Sequence, residues 1–424
     1  MNRPSVAVFG LGFVGLTTAL GFADKGFSVR GFDVDGGRRA EIAGGGIPFH
    51  EPGLGEALAR VIGKTFFVAD DAMMAANGAG LCFFCVGTPG RPDGSADLAD
   101  LFSALDGVLG ARENARGGGG VADDCVLVVK STVPPGTLAE RVEPYVRSRG
   151  AVNPVAVNPE FLREGRCWED FIHPDRIVCG VTDDLAKSAL AALYAPFGAP
   201  IHFVTPNTAE FIKYLSNSLL ATLISYSNEM ALLADAVGGV EIARAFRILH
   251  EDRRLAGAGI DAYIYPGCGY GGYCLPKDTA ALGALARSRG FSPRILEGVM
   301  SLNAEMPGFA ARKIERAAAS PTEKIGVLGL SFKPGSSDAR DSPAARIIAA
   351  LMADGYRNIY AYDPLAMDEF RRVYAPDIVY CASARELCET CGTVALVTAW
   401  EEFAGIDRAF PAVDFVDCRY FLKG

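Results

Sequence analysis

The segment Gly10-Leu11-Gly12-Phe13-Val14-Gly15 decides the fold, because it follows the apolar run Val6–Phe9 and opens an apolar-periodic stretch from Val14 to Lys25. This pattern predicts a buried strand, a glycine turn and a helix. In that context the first glycine makes the turn, the second lets the backbone approach a pyrophosphate, and the third lets the helix pack on the strand. The free N–H groups at the helix N-terminus favour a phosphate. We predict a dinucleotide site here; a glycine turn without a ligand is the alternative.

An acidic residue ends the second predicted strand, which runs from Ser28 to Asp33. Asp33 lies 18 residues beyond Gly15, where a carboxylate accepts a hydrogen bond from a ribose 2′-hydroxyl. The same charge repels a 2′-phosphate. The sequence therefore predicts NAD rather than NADP, although Arg38 nearby weakens this preference a little.

Strand and helix patterns divide the chain into three parts. Further strand runs at 81–86, 126–130 and 152–157 alternate with helical stretches, which predicts a parallel sheet. Residues 208–237 form one long helical pattern, and 278–289 and 294–316 form two more. A second α/β unit begins at Lys324. We predict two Rossmann-like parallel-sheet domains, residues 1–205 and 319–424, joined by a central helical domain, 206–318.

Composition excludes several classes of protein. The chain has 424 residues, 41 Lys and Arg, 50 Asp and Glu, and a formal charge of −9. That acidity argues against a nucleic-acid partner, and no apolar run is long enough to predict a membrane span. The early strand leaves no room for a signal peptide. The 11 Cys are odd in number and scattered, which predicts reduced thiols and a cytoplasmic location.

A glycine-rich loop before a helical stretch contains the candidate nucleophile, Cys274. The helix start and Lys277 would both stabilise a thiolate. The alternative is a buried structural thiol, which we expect for Cys268 in the same loop. Asp278 precedes Thr-Ala-Ala and is a good candidate for a helix N-cap, for a proton acceptor, or for both.

Other cysteines and the histidines give no metal site. Cys82 and Cys85, and Cys388 and Cys391, have the CxxC spacing, and two such pairs could indicate zinc. Cys82 and Cys85, however, lie in a strand run, where residues three apart point to opposite faces. We interpret these four thiols as structural. The 4 His show no ligand spacing, so no metal is predicted.

Two pairs of polar residues have the spacing of one helix face. Lys213 and Asn217 lie four apart in a mostly apolar helix, which suits a cation and an amide aimed at a developing oxyanion. A surface pair of Glu210 with Lys213 is the alternative. Glu160 and Glu164 would also share a helix face, which suits general acid–base work, or would simply favour a helix N-terminus.

Taken together, these segments resemble the nucleotide-sugar dehydrogenase family, also called the UDP-glucose/GDP-mannose dehydrogenase family, and most of all its bacterial UDP-glucose-oxidising members. The string from Gly269 to Asp278 is very specific to this family. The matching segments, in chain order, are Gly10–Gly15, Val86–Pro89, Ser131–Pro134, Asn158–Glu164, Pro174–Val178, Lys213–Asn217, Gly269–Asp278, Phe332–Pro343 and Ala399–Trp400.

The resemblance implies a four-electron oxidation of a sugar CH₂OH to a carboxylate with two NAD⁺. Cys274 would be the nucleophile that forms a thiohemiacetal and then a thioester. Lys213 and Asn217 would hold the oxygen at the reacting carbon, and Asp278 with Thr132 would order a water molecule. Glu160 and Glu164 would be the acid–base candidates.

The resemblance also implies binding residues. Those for NAD are Gly10, Leu11, Gly12, Phe13, Val14, Gly15, Asp33, Arg38, Thr88, Thr132, Glu164, Lys277 and Arg340. Those for a UDP-sugar are Glu160, Phe161, Leu162, Arg163, Glu164, Lys213, Asn217, Tyr263, Ile264, Tyr265, Pro266, Gly267, Gly271 and Lys333. The C-terminal domain would bind the nucleotide, and the central domain would carry the cysteine loop and homodimer contacts.

Three alternatives stay open at this point. The same chemistry could act on GDP-mannose or on a UDP-N-acetylhexosamine. A two-electron β-hydroxyacid dehydrogenase also pairs a Rossmann domain with a helical domain bearing Lys-x-x-x-Asn, but it needs neither the thiol nor the second α/β unit. A non-catalytic nucleotide-sugar sensor would not need the reactive side chains.

Overall fold

The computed structural model describes residues 4–110, 121–255 and 260–422. The chain divides into two compact units, residues 1–215 and 216–424. The boundary falls within one long helix, Pro206–Val237, which we call the central helix. The three-domain division with boundaries near 205 and 318 stays a prediction.

The first unit contains, in its described residues, an eight-stranded sheet in the order β3-β2-β1-β4-β5-β6-β7-β8. The strands are β1 (Val6–Phe9), β2 (Val29–Phe32), β3 (Phe66–Val68), β4 (Leu81–Phe84), β5 (Val126–Val129), β6 (Val155–Val157), β7 (Ile177–Val181) and β8 (Ile201–Val204). The α-helices are Phe13–Asp24, Gly36–Ala43, Leu54–Val61, Ala72–Ala76, Ala99–Leu109, Glu143–Ser148, Cys167–Ile172 and Asp184–Tyr194, with a π-helical turn at Leu138–Val142. All residues of β1, β4 and β5 are buried, which explains their continuous apolar runs.

The strand order reverses at β1, which pairs with both β2 and β4. Phe9 at the end of β1 lies in register with Phe32 of β2 and Phe84 of β4. The loops that follow these strands therefore leave the sheet at one level. Ligands of open α/β sheets bind at this kind of switch point.

One strand pair departs from the predicted parallel sheet. β6 and β7 are antiparallel, with Val157 opposite Gly180. β7 therefore starts at the edge of the sheet where β6 ends, and residues 158–176 do not cross to the opposite edge. Alternation of strands and helices did not reveal this, because the connection contains a loop and only a short helix, Cys167–Ile172.

The second unit contains, in its described residues, a five-stranded parallel sheet in the order β11-β10-β9-β12-β13. The strands are β9 (Ile325–Leu328), β10 (Ile359–Tyr362), β11 (Val379–Tyr380), β12 (Thr393–Leu396) and β13 (Asp414–Asp417). The α-helices are Ile242–His250, Cys274–Ser288, Arg294–Ala317, Pro343–Ala353, Met367–Tyr374, Ala384–Thr390 and Ile406–Ala409. The predicted α/β fold class with two sheets is confirmed. Among the described helices, none has both the length and the apolar character needed to cross a membrane.

Candidate active site

The glycine loop after β1 has the geometry that its motif predicts. Gly10 has a φ of 86°, in the left-handed region that favours glycine. A Cβ on Gly15 would lie 1.7 Å from the carbonyl oxygen of Gly10. At Gly12, by contrast, no described atom lies within 4 Å of where a Cβ would be. Gly12 is the N-cap of the helix, so a pyrophosphate fits over it and meets the free backbone N–H groups.

Asp33 is buried at the end of β2 and holds the same loop. Its Oδ2 accepts hydrogen bonds from the Leu11 N–H at 2.7 Å and from Arg38 Nη1 at 3.0 Å, and its Oδ1 accepts from the Asp35 N–H at 2.9 Å. A carboxylate offers about four lone-pair sites, so a ribose hydroxyl can still donate to it. These residues fit the adenosine half of NAD.

Two further predicted cofactor residues meet at the ends of β4 and β5. Thr88 Oγ1 donates to the carbonyl oxygen of Thr132 at 2.9 Å. Ser131 Oγ donates to the carbonyl oxygen of Val86 at 2.7 Å. The two loops are therefore tied together beside the switch point.

Glu160 and Lys213 form a buried ion pair. Lys213 Nζ lies 2.9 Å from Glu160 Oε1, and the side chains are 6% and 7% exposed. Glu160 Oε2 also accepts the Leu162 N–H at 2.5 Å. Burial raises the pKa of Glu160, but the charge and hydrogen bond of Lys213, the Leu162 N–H and the charge of Lys130 together outweigh it and hold the pKa below its usual range. Glu160 is therefore a carboxylate at neutral pH, which can accept a proton but cannot donate one.

The expectation that Glu160 and Glu164 share a helix face is wrong. Residues 158–163 are an irregular loop, and the next helix begins only at Cys167. Pro159 disfavours helical backbone at the residue before it, and Gly165 has a φ of 80°. Glu164 lies partly exposed in a turn.

The alternative of a surface pair between Glu210 and Lys213 is also wrong. Glu210 is 1% exposed, and its carboxylate accepts the backbone N–H groups of Gly136 and Leu138. The two side chains lie three residues apart but have different partners.

The loop that follows Glu160 is fixed by side chains along its length. The Phe161 ring centroid lies 4.4 Å from the Arg176 guanidinium and 5.6 Å from Lys213 Nζ. Arg163 forms a two-point contact with Asp170 at 3.0 and 2.6 Å. The backbone of 161–163, a predicted substrate contact, is thus held in one position.

Cys274 is the first residue of the helix Cys274–Ser288, which we call the cysteine helix. The thiol is partly exposed, and its place at a helix N-terminus favours a thiolate. Pro276 is tolerated because it lies in the first turn, where its missing N–H has no intrahelical acceptor.

The expectation that Asp278 is an N-cap is wrong, because the helix begins a turn earlier. Asp278 is 1% exposed; its Oδ2 accepts from Asn217 Nδ2 at 2.6 Å, and its Oδ1 lies 2.5 Å from Lys277 Nζ. Asn217, Lys277 and Asp278 therefore form a polar cluster one turn from Cys274.

Segments 271–273 and 340–343 contact each other closely. The Gly272 N–H donates to the Arg340 carbonyl oxygen at 3.0 Å, and a Cβ on Gly271 would lie 2.3 Å from the carbonyl oxygen of Asp341. The Tyr273 ring has the Arg340 guanidinium 4.6 Å and Lys277 Nζ 5.4 Å from its centroid. Gly271 is therefore needed for the close approach to the Asp341 backbone.

The predicted substrate segment Tyr263–Gly267 is fixed within the second unit. His250 Nε2 lies 2.8 Å from the Ile264 carbonyl oxygen. The Tyr265 hydroxyl donates to the Tyr420 carbonyl oxygen at 3.0 Å, and the Gly267 N–H donates to Asn228 Oδ1 at 2.7 Å. A Cβ on Gly267 would lie 2.2 Å from Arg419 Nη1. Lys333 lies after β9, with its Nζ 5.5 Å from the Phe332 ring centroid.

Sequence reasoning missed several buried polar residues that hold these loops. Lys130 Nζ donates to Asn158 Oδ1 at 2.9 Å, and burial lowers the pKa of this lysine. In the sequence, an isolated charged residue at the end of an apolar strand run was the signal that could have indicated Lys130. The other residues of this kind are Glu51, Glu210, Asn228, Asp338 and Asp363.

Four of the five cysteines predicted to be structural are less exposed than Cys274. Cys82, Cys268, Cys388 and Cys391 are buried, and Cys85 is partly exposed. Burial raises the pKa of Cys85 and of Cys391 to about 12. Among the described residues, no group of three or more His, Cys, Asp or Glu side chains is placed to hold a metal ion.

The fold and the glycine loop together define a dinucleotide-binding α/β protein, and comparison with known proteins narrows this class. The chain belongs to the UDP-glucose/GDP-mannose dehydrogenase family, and is therefore an NAD-dependent oxidoreductase. The family's NAD binding domain matches residues 4–198, its central domain 207–305 and its UDP binding domain 326–424.

Named relatives support the family. A UDP-glucose 6-dehydrogenase of Rhizobium meliloti is 37% identical over 95% of this chain and 91% of its own length. A UDP-glucose dehydrogenase structure from Pyrobaculum islandicum superimposes with a TM-score of 0.90 at 37% identity, covering 100% of this chain and 95% of the other. A UDP-D-ManNAc dehydrogenase structure from Pyrococcus horikoshii gives a TM-score of 0.83 at 27% identity, covering 98% and 95%. Family membership decides against a β-hydroxyacid dehydrogenase.

Proposed function

We propose that this chain oxidises the C6 hydroxymethyl group of UDP-glucose to the carboxylate of UDP-glucuronate, with two NAD⁺ consumed per sugar. The observation that carries the proposal is Cys274 at the start of a helix, one turn from the Asn217–Lys277–Asp278 cluster, in a chain of this family. Relatives named for UDP-glucose, such as that of Rhizobium meliloti, support the choice of sugar.

Most of the proposed cofactor contacts lie in the first unit. When bound, NAD⁺ accepts a hydride in each of the two oxidations. The loop Gly10–Gly15 receives the pyrophosphate at the helix N-terminus, and Asp33 accepts a ribose hydroxyl. Arg38, Thr88, Thr132, Glu164, Lys277 and Arg340 are the remaining proposed cofactor contacts.

The covalent steps are carried by Cys274. In the first oxidation the C6 alcohol loses a hydride and a proton and becomes an aldehyde. The thiolate adds to the aldehyde carbon and gives a thiohemiacetal, whose oxygen Lys213 and Asn217 stabilise as developing charge. Loss of a second hydride and a proton leaves a thioester. Water then attacks the thioester carbon, the C–S bond breaks, and the carboxylate and free thiolate are released.

Proton transfer is assigned to the carboxylates. Glu160 is the proposed proton acceptor, and its ion pair with Lys213 and its lowered pKa support this role. Asp278, with Thr132, is proposed to order the water for hydrolysis. Lys333, Gly271 and the backbone of 161–163 and 263–267 are the proposed contacts to the UDP-sugar.

A substrate panel tests the choice of sugar. Purified protein is assayed with UDP-glucose, GDP-mannose, UDP-N-acetylglucosamine and UDP-N-acetylmannosamine, and NADH is followed. We expect the highest kcat/KM with UDP-glucose, and UDP-glucuronate as the product. A higher kcat/KM with another sugar would reassign the substrate while leaving the covalent chemistry intact.

We further propose a homodimer in the cytoplasm. The central helix exposes a row of apolar side chains, which is a common sign of an interface. These are Phe211, Leu215, Leu219, Tyr226 and Leu233. The 11 cysteines are all free thiols, which suits a reducing compartment.

A further inference from the structure

Glu210 is a buried carboxylate to which the proposed chemistry gives no task. It lies in the first turns of the central helix, one turn before Lys213, and is 1% exposed. Both of its oxygens are engaged: Oε2 accepts the Gly136 N–H at 2.7 Å, and Oε1 accepts the Leu138 N–H at 2.8 Å. One side chain thus fixes two backbone groups on either side of Thr137.

The backbone that Glu210 holds is a tight turn. The Thr137 N–H and Oγ1 both donate to the carbonyl oxygen of Pro134, at 3.0 and 2.6 Å. Gly136 has a φ of 96°, as the third residue of a type II turn requires. The π-helical turn Leu138–Val142 starts directly afterwards. Glu210 therefore satisfies N–H groups at the start of that helical segment, as a capping residue of the segment itself would do.

The same segment is attached at its other end to the loop after β4. Thr88 Oγ1 donates to the Thr132 carbonyl oxygen, and Ser131 Oγ donates to the Val86 carbonyl oxygen. Residues 131–138 are thus held on one side by the β4 loop and on the other by the central helix. Thr132 takes part in the first attachment and lies four residues before the second.

We propose that Glu210 is a positioning residue for the cofactor, because its carboxylate ties the turn Pro134–Leu138 to the central helix and so sets the place of Thr132. The proposal rests on the proposed function in one respect, the contact of Thr132 with NAD.

The charge of Glu210 changes near neutral pH. Burial raises the pKa of Glu210 to about 7, and the nearby Glu140 carboxylate adds to this rise. The hydrogen bonds from the backbone N–H groups lower the pKa but do not cancel the effect of burial. The other charged group close by on its own helix, Lys213, is paired with Glu160. A protonated carboxyl keeps only one good acceptor oxygen. NAD affinity is therefore expected to rise as the pH increases through about 7.

The experiment measures NAD⁺ binding by calorimetry on the full-length protein from pH 6 to 8.5, with no sugar present. The wild-type protein is expected to bind several-fold more tightly at pH 8 than at pH 6. Glu210→Gln should bind about tenfold more weakly at pH 8, the worth of one hydrogen bond, and should show no change with pH. Glu140→Gln is the matched control: it should bind like the wild type at pH 8, with its transition moved to lower pH.

Two results would overturn the proposal: Glu210→Gln with wild-type affinity and pH dependence, or a wild-type affinity that does not vary between pH 6 and 8.5. Circular dichroism checks that Glu210→Gln is folded. If it is not, the wild type and Glu140→Gln still decide the matter, since identical pH profiles for these two would contradict it. Failure of the sugar assignment leaves this experiment unaffected, because no sugar is used.

Discussion

At the scale of single residues, the buried Glu160–Lys213 ion pair is not explained by its contribution to stability. Removing two charges from water is costly, and a buried ion pair often stabilises no more than apolar residues of the same volume. Here Glu160 is further stabilised by the Leu162 N–H and by the charge of Lys130. Such an arrangement is consistent with a carboxylate and a cation held ready for catalysis.

Replacing Lys213 by Met should lower both activity and stability. Loss of a donor to the developing oxyanion typically lowers kcat about 10²–10³-fold. The unpaired Glu160 should also lower the free energy of unfolding by about 3–5 kcal/mol. Steady-state kinetics and urea unfolding measure the two effects. Lys64→Met, at an exposed lysine, is the control, and equal effects of both substitutions would contradict a special role for Lys213.

The pH dependence of stability follows from the lowered pKa of Glu160. A carboxylate whose folded-state pKa is depressed contributes stability above its unfolded pKa, near the ordinary value of 4.5, and loses it as the pH falls through the folded value. Urea unfolding at pH 7 and pH 4 should therefore show a larger loss for the wild type than for Glu160→Gln. Parallel losses in the two proteins would show that Glu160 is not the group responsible.

Two glycines of the cofactor loop should respond in opposite ways. A Cβ on Gly12 meets open space, so Gly12→Ala should fold with a wild-type Tm but bind NAD at least tenfold more weakly, because the methyl group occupies the pyrophosphate position. A Cβ on Gly15 would lie 1.7 Å from a backbone oxygen, so Gly15→Ala should lower the Tm as well. Thermal unfolding and NAD titration separate the two. Unchanged NAD affinity in Gly12→Ala would rule out this placement of the pyrophosphate.

At the scale of elements, the central helix was predictable and the loop after β6 was not. The helix has a long apolar period without internal glycine or proline, and its observed start, Pro206, lies two residues before the prediction. The segment 158–164 was expected to be helical because Glu160 and Glu164 lie four apart. Its actual course depends on contacts with distant residues such as Asp170 and Lys213, which a local pattern does not contain.

The exposed row of the central helix leads to a prediction about assembly. Leu219, 53% exposed, lies in the middle of that row. Leu219→Asp should convert the proposed dimer to a monomer, because a charge buried in an apolar interface costs several kcal/mol. Sedimentation velocity measures the mass. Leu185→Asp, at an exposed leucine of another helix, is the control, and a wild-type protein that sediments as a monomer would exclude the dimer.

At the scale of the whole chain, the two sheets share the same local arrangement, a glycine of positive φ after the first strand and an aspartate after the neighbouring strand. Gly10 after β1 and Gly329 after β9 both have positive φ, at 86° and 93°. In each unit an aspartate after the neighbouring strand accepts the next backbone N–H, Asp33 from Leu11 and Asp363 from Leu330. Asp363 also accepts from Trp400 Nε1 at 3.0 Å and is fully buried. The sequence reveals the shared opening, whereas the different surroundings of the two aspartates appear only in the structure.

The candidate site was predictable where chemistry fixes residue type and spacing, as at Gly10–Gly15 and Cys274. It was not predictable where a side chain forms hydrogen bonds with backbone groups far away along the chain. Asp278 looked like a cap because the residues after it favour a helix, but the helix already starts at Cys274. Glu210 looked like a surface residue because its partners, Gly136 and Leu138, lie more than 70 residues away along the chain.

The covalent role of Cys274 is the central claim, and the yield of NADH per sugar tests it most directly. With limiting UDP-glucose, the wild-type protein and the control Cys381→Ala should form two NADH and one UDP-glucuronate per sugar, with no free aldehyde. Cys274→Ala should form no UDP-glucuronate, and Cys274→Ser should stall with a bound intermediate that intact mass spectrometry detects. Full conversion with two NADH per sugar by Cys274→Ala would contradict the covalent mechanism.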